Sequence, residues 1–170
     1  MINWREEIKK FVIKKDDGTP GAAPRVQMDV KGMIGQPDLL YAIVMEMGDL
    51  ILKKHPSIKA IGSHGVGGSF LISPIMLYVY GHWFNVNGFF VRLGPPVNSY
   101  DLPIEGRLAK GWRVLIIDTV IKTGNSSLKA YELLRDYGCE VDGIVVIGDL
   151  SNGDNACTRA GIKVEALVTL

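Results

Sequence analysis

The amino-acid sequence predicts an α/β fold in which helices flank a mainly parallel β-sheet. Short apolar runs rich in β-branched residues, such as residues 114–117 and 141–149, alternate with amphipathic segments of helical spacing. Glycines and polar residues separate these segments, as expected for turns between strands and helices. The 170 residues, 47% of them apolar, are enough for one domain with a buried core. We therefore expect strand–helix–strand units joined by right-handed crossovers.

The N-terminal segment is predicted to contain two helices and one strand. Residues 4–15 place apolar side chains at helical spacing and predict a short amphipathic helix. Glycine and proline make residues 16–24 a loop, and alternating apolar and polar residues make 26–31 a half-buried strand. Pro37 opens a long core helix that ends before Pro56.

The middle of the chain contains two predicted strands around an apolar helix. Residues 59–62 form a short strand that leads into a glycine-rich loop at 63–69, and residues 70–80 form the helix. Aromatic and β-branched residues predict a strand at 84–92. Residues 93–103 contain three prolines and little periodicity, and a loop of that length in a compact domain is typically functional or mobile.

The C-terminal part completes the alternation of strands and helices. A buried strand at 114–118 is followed by an amphipathic helix at 126–137 and a second buried strand at 141–149. A short helical piece at 156–160 precedes a last strand at 164–170.

Charge and composition exclude several classes of function. A net charge of +1 gives no electrostatic case for a nucleic acid or an anionic membrane as partner. Residues 60–91 lack Lys, Arg, Asp and Glu, but glycines, asparagines and a proline interrupt them, unlike a membrane-spanning helix. Cys139 and Cys157 have no metal-like spacing with the histidines, and we expect both to be reduced and packed. Because the N-terminus lacks a signal peptide's apolar stretch, we expect a cytoplasmic protein.

An anion site is predicted where the strand at 114–118 passes into the following helix. The N–H groups of a first helical turn point outward with the positive end of the helix dipole behind them. Residues 123–126, Thr-Gly-Asn-Ser, and Ser127 add donors and a close backbone approach. Asp118 can accept bonds from sugar hydroxyls or help to hold Mg²⁺. The alternative is an ordinary turn with an N-cap.

The glycine-rich segment at 63–69 is a second candidate for anion binding. Ligands of parallel sheets bind at the carboxyl ends of the strands, and residues 63 and 118 both lie at such ends. Two such loops on neighbouring strands could hold two phosphates of one ligand. His64, inside this segment, either contacts the ligand or faces solvent.

The stretch 114–127 resembles the phosphoribosyl-pyrophosphate (PRPP) motif of type I phosphoribosyltransferases. That motif is a hydrophobic strand, two acidic residues and a Thr-Gly-Gly-Ser-like phosphate loop. Taken in order, the whole chain is similar to orotate phosphoribosyltransferase, with matching segments at 26–31, 63–69, 91–92, 104–106 and 148–167. The resemblance implies a single domain, residues 1–170, with a Rossmann-like sheet, an N-terminal hood at 1–35 and a mobile loop at 93–103.

The resemblance also implies the reaction, the partners and the site. The family transfers ribose 5-phosphate from PRPP to a pyrimidine nitrogen and releases pyrophosphate, with Mg²⁺ carried by PRPP and no metal site of the protein's own. Asp118 and Arg92 are the implied catalytic residues, with Arg92 reaching a diphosphate across a homodimer; an ordinary surface arginine is the alternative. The implied PRPP-binding and phosphate-binding residues are Thr119, Lys122, Thr123, Gly124, Asn125, Ser126, Ser63, His64, Gly65, Gly67 and Gly68.

The chain departs from the family pattern at several positions. Three cations of the family's mobile loop are replaced by Leu93, Pro96 and Asn98, and the second acidic residue of the motif is replaced by Thr119. The orotate-binding Lys-Ser-Gly stretch is replaced by residues 14–18, Lys-Lys-Asp-Asp-Gly. Removing a single group that stabilises the transition state typically slows a reaction by about two orders of magnitude.

Three functions follow from this pattern of similarity and departure. The first is an orotate-type phosphoribosyltransferase that is slow or uses another base, with Lys122 partly replacing the missing loop cations. The second is a non-catalytic regulatory paralogue that binds PRPP or a nucleotide. The third is a scaffold without a ligand.

Overall fold

A computed structural model describes residues 3–15, 25–95 and 102–170 of the chain. Within these ranges the helices are α1 (Trp4–Lys9), α2 (Val30–Ile34), α3 (Pro37–Lys54), α4 (Val66–Gly81), α5 (Asn125–Tyr137) and α6 (Ala156–Arg159). The strands are β1 (Val12–Lys15), β2 (Arg25–Met28), β3 (Ala60–Ser63), β4 (Asn87–Val91), β5 (Ile104–Gly106), β6 (Arg113–Ile121), β7 (Glu140–Asp149) and β8 (Val164–Thr169).

The predicted α/β fold with a mainly parallel sheet is confirmed. Six strands form one sheet in the order β5-β4-β3-β6-β7-β8, and all neighbours are parallel except β4 and β5. Strands β3 and β6 are adjacent, with Gly62 opposite Ile116. Because they are parallel, the polar segments that follow them leave the same edge of the sheet.

The core lies on both faces of this sheet, and β6 shows why. Side chains of a strand alternate between its two faces. Leu115 and Ile117 accordingly pack with the buried residues of α3 and α4, whereas Val114 and Ile116 pack with Leu134 of α5. Each of these four side chains is at most 1% exposed, so this part of β6 is buried on both faces.

The predicted helix at 4–15 is too long. The helix ends at Lys9, and residues Val12–Lys15 form β1, which pairs antiparallel with β2. Val12 and Ile13 are β-branched, which favours a strand once a partner strand is in reach. The loop predicted at 16–24 lies outside the described residues.

The strand predicted at 26–31 ends early because a helix begins there. It ends at Met28, and the carboxylate of Asp29 accepts a hydrogen bond of 3.1 Å from the N–H of Gly32. This N-cap starts α2 at Val30. The long helix predicted from Pro37 is confirmed as α3, whose inward stripe buries Ile43 and Met47.

Helix α4 begins at Val66, so most of the predicted loop at 63–69 is helical. A Cβ atom on Gly67 would lie 3.0 Å from Oγ1 of Thr119, and one on Gly68 would lie 2.1 Å from Oγ of Ser63. These glycines therefore allow the first turn of α4 to pack closely on β3 and β6. Because α4 begins at Val66, Pro74 lies in the middle of the helix.

Other boundaries differ by smaller amounts. Strand β4 begins at Asn87, and β6 continues past Asp118 to Ile121 because its pairing with β7 extends to Asp149. Asp118 thus lies within the strand and not at its end. Of the mobile loop predicted at 93–103, residues 96–101, which include Pro96 and Asn98, lie outside the described residues.

Two further expectations concern cysteines and membranes. Cys139 and Cys157 are both free and buried, as predicted. Among the helices that the structure describes, none combines the length and the apolar character needed to cross a bilayer.

Candidate functional site

A pocket of about 380 Å³ lies where β6 passes into α5. Asp118 and Ser126 both line it, and so do His64 and Gly65 of the segment that follows β3. Its lining residues are His64, Gly65, Leu93, Asp118, Val120, Ile121, Lys122, Thr123, Gly124, Asn125, Ser126 and Ser127. Depressions of about 430 and 590 Å³ occur elsewhere, the first lined by α1 and α3 and the second mainly by α1, β1 and the end of β8. The pocket between β6 and α5 is therefore distinguished by the polar residues that line it and not by its volume.

The N-terminus of α5 has no side-chain cap. The N-cap residue is Gly124, in a left-handed conformation with φ of +74°, and no side chain caps the helix there. Since the first N–H groups of a helix have no partner within the helix, those of α5 remain available to a ligand. This arrangement differs from the alternative of a turn with a side-chain N-cap.

The loop between β6 and α5, residues 122–124, is held in shape by the segment that begins α6. The N–H of Ala156 donates to the carbonyl oxygen of Thr123 at 2.8 Å, and Sγ of Cys157 donates to that of Gly124 at 3.3 Å. A Cβ atom on Gly124 would lie 3.0 Å from Oδ1 of Asn155, so the two segments are in close contact.

Asn155 organises this supporting segment, which the sequence analysis did not connect to the site. Its side chain accepts from the N–H groups of Cys157 and Thr158 at 3.0 and 3.2 Å, and the hydroxyl of Thr158 accepts from the N–H of Asn155. The sequence pattern Asn-x-x-Thr at residues 155–158 is typical of such a capping box and could have predicted this helix start. Burial raises the pKa of the Cys157 thiol to about 11.

Asp118 and His64 are neighbours in the lining of the pocket. Oδ1 of Asp118 accepts a hydrogen bond of 2.7 Å from the N–H of Thr119, and Oδ2 lies 3.2 Å from Nε2 of His64. The same nitrogen of His64 lies 3.1 Å from Oγ of Ser127. The His64 side chain is only 5% exposed, so the alternative of a solvent-facing histidine is wrong. Ser127 was expected only as an additional donor.

Of the other predicted residues of the glycine-rich segment, Gly65 lines the pocket and the rest lie behind it. Ser63 is 1% exposed, and its hydroxyl donates to the carbonyl oxygen of Gly65 at 3.1 Å. Gly67 packs on Thr119, and Gly68 packs on Ser63. Thr119 is therefore turned towards α4, and these residues shape the wall without lining the pocket.

Arg92 and Lys122 are the two predicted cations of the site. Arg92 does not line the pocket; its Nη2 and Nε atoms donate to Oε1 of Glu105 at 2.6 and 3.2 Å, which joins the end of β4 to β5. Lys122 lines the pocket, and its Nζ donates to the carbonyl oxygen of Val26 at 3.1 Å. That bond links the loop between β6 and α5 to β2.

Comparisons with known proteins place the chain in a family, although no family model matches it. It is 30% identical over 169 residues to an orotate phosphoribosyltransferase of Aquifex aeolicus, covering 96% of this chain and 91% of the relative. It is 30% identical over 112 residues to one of Rhodopirellula baltica, covering 65% of this chain and 58% of that relative, little more than half its length. The orotate phosphoribosyltransferase structure of Aeropyrum pernix has a TM-score of 0.75 at 23% identity, covering 98% of this chain and 93% of that one.

The mainly parallel sheet flanked by helices is the fold of the type I phosphoribosyltransferases, as the similarity to the Aeropyrum structure shows. Within that class, the near full-length similarity to the Aquifex protein decides the assignment. The chain belongs to the orotate phosphoribosyltransferase family.

Proposed function

We propose that the protein is a PRPP-dependent phosphoribosyltransferase of the orotate type. It would convert orotate and PRPP into orotidine 5′-phosphate and pyrophosphate, a step of pyrimidine nucleotide biosynthesis, slowly or with another base in place of orotate. The observation that carries this proposal is the uncapped N-terminus of α5, which opens into the pocket that Asp118 lines. The buried, unpaired cysteines support the cytoplasm as its compartment.

PRPP fits the pocket with its phosphate at one end and its ribose in the middle. The main-chain N–H groups and hydroxyls of residues 123–126 would bind the 5′-phosphate. Asp118 would accept hydrogen bonds from the ribose hydroxyls, because a carboxylate is an acceptor at both oxygens. Gly65 and His64 also line the pocket, and the pyrophosphate would leave beside them.

The chemistry requires a positively charged sugar carbon between the departing pyrophosphate and the incoming base. Groups that neutralise the leaving pyrophosphate stabilise this transition state. Mg²⁺, when bound, would supply positive charge to the pyrophosphate oxygens. The described residues contain no cluster of three or more His, Cys, Asp and Glu side chains suited to a metal, and Asp118 is the carboxylate that lines the pocket. As the family resemblance implies, PRPP would carry the ion.

A non-catalytic PRPP-binding paralogue is the second candidate, and Leu93 is the observation that favours it. An apolar side chain lines the pocket where the family has a loop cation. The sequence contains no Lys, Arg or His between Arg92 and Arg107, so this loop brings no positive charge to the pyrophosphate. A paralogue of this kind would bind PRPP without releasing pyrophosphate.

Two measurements on the same protein separate these functions. Orotate consumption is followed spectrophotometrically with PRPP and Mg²⁺, and PRPP binding is measured by calorimetry. Turnover that depends on both substrates supports the enzyme. Micromolar PRPP binding without turnover of orotate or other pyrimidine bases supports the regulatory paralogue. Absence of PRPP binding contradicts both and leaves the scaffold.

We further propose that the protein is a homodimer formed through the outer face of α4. A stripe of apolar side chains on this face, here called the α4 stripe, is 60–99% exposed: Val66, Phe70, Leu77, Tyr80 and the adjoining Trp83. At about 150–250 Å² for each aromatic side chain, the stripe exposes on the order of 700 Å². That area approaches the roughly 800 Å² that each partner buries in a standard interface.

A second copy of the chain fits this face better than a charged partner. Residues 60–91 carry no Lys, Arg, Asp or Glu, so the stripe offers nothing for charge pairing. Its spacing is nearly symmetric about Ser73, so two antiparallel copies would set Phe70 against the partner's Leu77.

A further inference from the structure

His64 connects three elements at the floor of the pocket. It follows Ser63, the last residue of β3, and its Nε2 atom reaches Asp118 of β6 at 3.2 Å and Ser127 of α5 at 3.1 Å. Asp118 is 14% exposed at its side chain and Ser127 is 3% exposed overall. A polar group at such a junction is well placed to hold its partners in one orientation.

The hydrogen-bond chemistry of this junction determines which atom carries the proton. An ionised carboxylate only accepts hydrogen bonds, so Nε2 of His64, which lies 3.2 Å from Oδ2 of Asp118, is the nitrogen that carries the proton. Its N–H donates to Oγ of Ser127, which then acts as an acceptor. A hydroxyl that accepts from His64 keeps its own hydrogen for another acceptor. Ser127 is thereby prepared to donate to an oxygen of a bound ligand.

Asp118 is held at both oxygens before a ligand arrives. Oδ1 accepts from the N–H of Thr119 at 2.7 Å, and Oδ2 faces His64. A carboxylate oxygen has two lone pairs, so each oxygen can accept one further bond from a ribose hydroxyl. Fixing both oxygens in advance removes rotamers that would otherwise be lost on binding.

We propose that His64 is a positioning residue for ribose recognition, acting through the carboxylate of Asp118 and the hydroxyl of Ser127. This inference rests on the proposed function, because it assigns to His64 the geometry of the groups that meet PRPP. It concerns the ribose specifically: the 5′-phosphate is bound by the main chain of α5, which His64 does not contact through its ring.

The test is a double-mutant cycle with PRPP binding measured by calorimetry. The variants are His64→Leu, which removes the donor, Asp118→Asn, and both together. We expect H64L alone to weaken PRPP binding by about tenfold, the effect of losing one hydrogen bond and the polar neighbour of a carboxylate. In the D118N background the same change should cost clearly less, about threefold, because only the contact with Ser127 is then lost.

Three controls separate positioning from a loss of structure. His64→Gln keeps a side-chain donor and should restore most of the PRPP affinity. Inorganic phosphate, a probe without ribose, should bind H64L and the unmodified protein equally. His82→Gln removes a histidine beyond the other end of α4, about 24 Å away for 16 helical residues, and should have no effect.

Each outcome decides the matter. Additive losses in the cycle, no rescue by H64Q, or equal losses for phosphate and PRPP would overturn the role of His64 and leave the proposed function standing. PRPP binding to none of the proteins, including the unmodified one, would overturn the proposed function and this inference together.

Discussion

The N–H of Ala156 donates a hydrogen bond of 2.8 Å to the carbonyl oxygen of Thr123, and this bond joins the start of α6 to the loop between β6 and α5. The two residues are 33 positions apart in the sequence. The amides of α5 are therefore presented by a loop whose far side is already bonded to the protein. A loop held in this way loses little conformational freedom when a phosphate binds.

Gly124→Ala tests whether the shape of this loop determines binding. The residue has φ of +74°, and a Cβ atom would lie 3.0 Å from Oδ1 of Asn155. We expect a loss of about 1–2 kcal/mol in the free energy of unfolding from the left-handed backbone. We also expect PRPP affinity to fall by at least about tenfold, since the displaced loop misplaces its amides.

Gly111→Ala is the matched control for that variant. Gly111 has φ of +79° but no atom near the position of a Cβ, and it does not line the pocket. It should lose a similar free energy of unfolding in urea denaturation and keep its PRPP affinity. Equal affinities of G124A and G111A would contradict a role for the loop's shape.

Glu165→Gln tests a buried cluster of charges that the sequence analysis did not find. Burial by itself would raise the pKa of Glu165, but hydrogen bonds from Lys54, Lys163 and His55 outweigh it and lower the pKa to about 2. His55 is 1% exposed, with Nε2 at 2.7 Å from Glu165 and Nδ1 at 2.5 Å from Asp142.

The direction of the pH effect follows from the lowered pKa. The charged form of Glu165 is stabilised in the folded state, so its contribution is complete above the unfolded pKa of about 4.3 and is lost as the pH falls towards 2. We expect E165Q to be less stable near neutral pH by about 1–2 kcal/mol, because its lysine partners are half exposed and screened by solvent, and to show a flatter decline in acid. Urea denaturation between pH 2 and about 7 measures this.

Glu140→Gln controls for the general effect of removing a surface carboxylate. The Glu140 side chain is 61% exposed in its ion pair with Arg113, and such pairs contribute about 0–1 kcal/mol. An E165Q curve that matches the E140Q curve at every pH would show that the buried cluster does not stabilise the fold.

The two thiols should be unreactive in the native protein. Burial raises the pKa values of Cys139 and Cys157, the latter to about 11, so neither forms much thiolate near neutral pH. With Ellman's reagent we expect no fast reaction in buffer and two equivalents in denaturant. One fast equivalent in buffer would contradict this packing, and Cys139→Ser would identify the thiol responsible.

Leu77→Glu tests the dimer proposed at the α4 stripe. Leu77 is 74% exposed, and a charge there should prevent two copies from burying the stripe. Light scattering should give twice the chain mass for the unmodified protein and a single chain mass for L77E. Tyr41→Glu on α3, where Tyr41 is 68% exposed, should remain dimeric. A monomeric unmodified protein, or equal masses for the two variants, would refute the α4 interface.

The sheet and the turn between β6 and α5 were predictable because local pattern and global fold agree there. The apolar run that leads into Asp118 is buried on both faces, and Thr123 and Gly124 form the turn, although Asn125 and Ser126 already belong to α5. The glycines of 63–69 were misinterpreted for the opposite reason. Gly67 and Gly68 resemble a flexible loop in sequence, but they serve close packing between α4 and two strands, a tertiary contact that local pattern does not reveal.

The interior of the site was less predictable than its position. Whether His64 faces solvent or Asp118 depends on the adjacency of β3 and β6, which are separated by 49 residues from Ser63 to Arg113. The strand β1 depends in the same way on its pairing with β2, since residues 4–15 alone fit a helix. In both cases a long-range contact overrides a local preference.

A crystal soaked with PRPP and Mg²⁺ tests the central claim most directly. We predict the 5′-phosphate on the first main-chain N–H groups of α5, with the ribose hydroxyls within hydrogen-bond distance of Asp118. PRPP bound away from this helix terminus, or a pocket left empty at saturating PRPP, would contradict the claim.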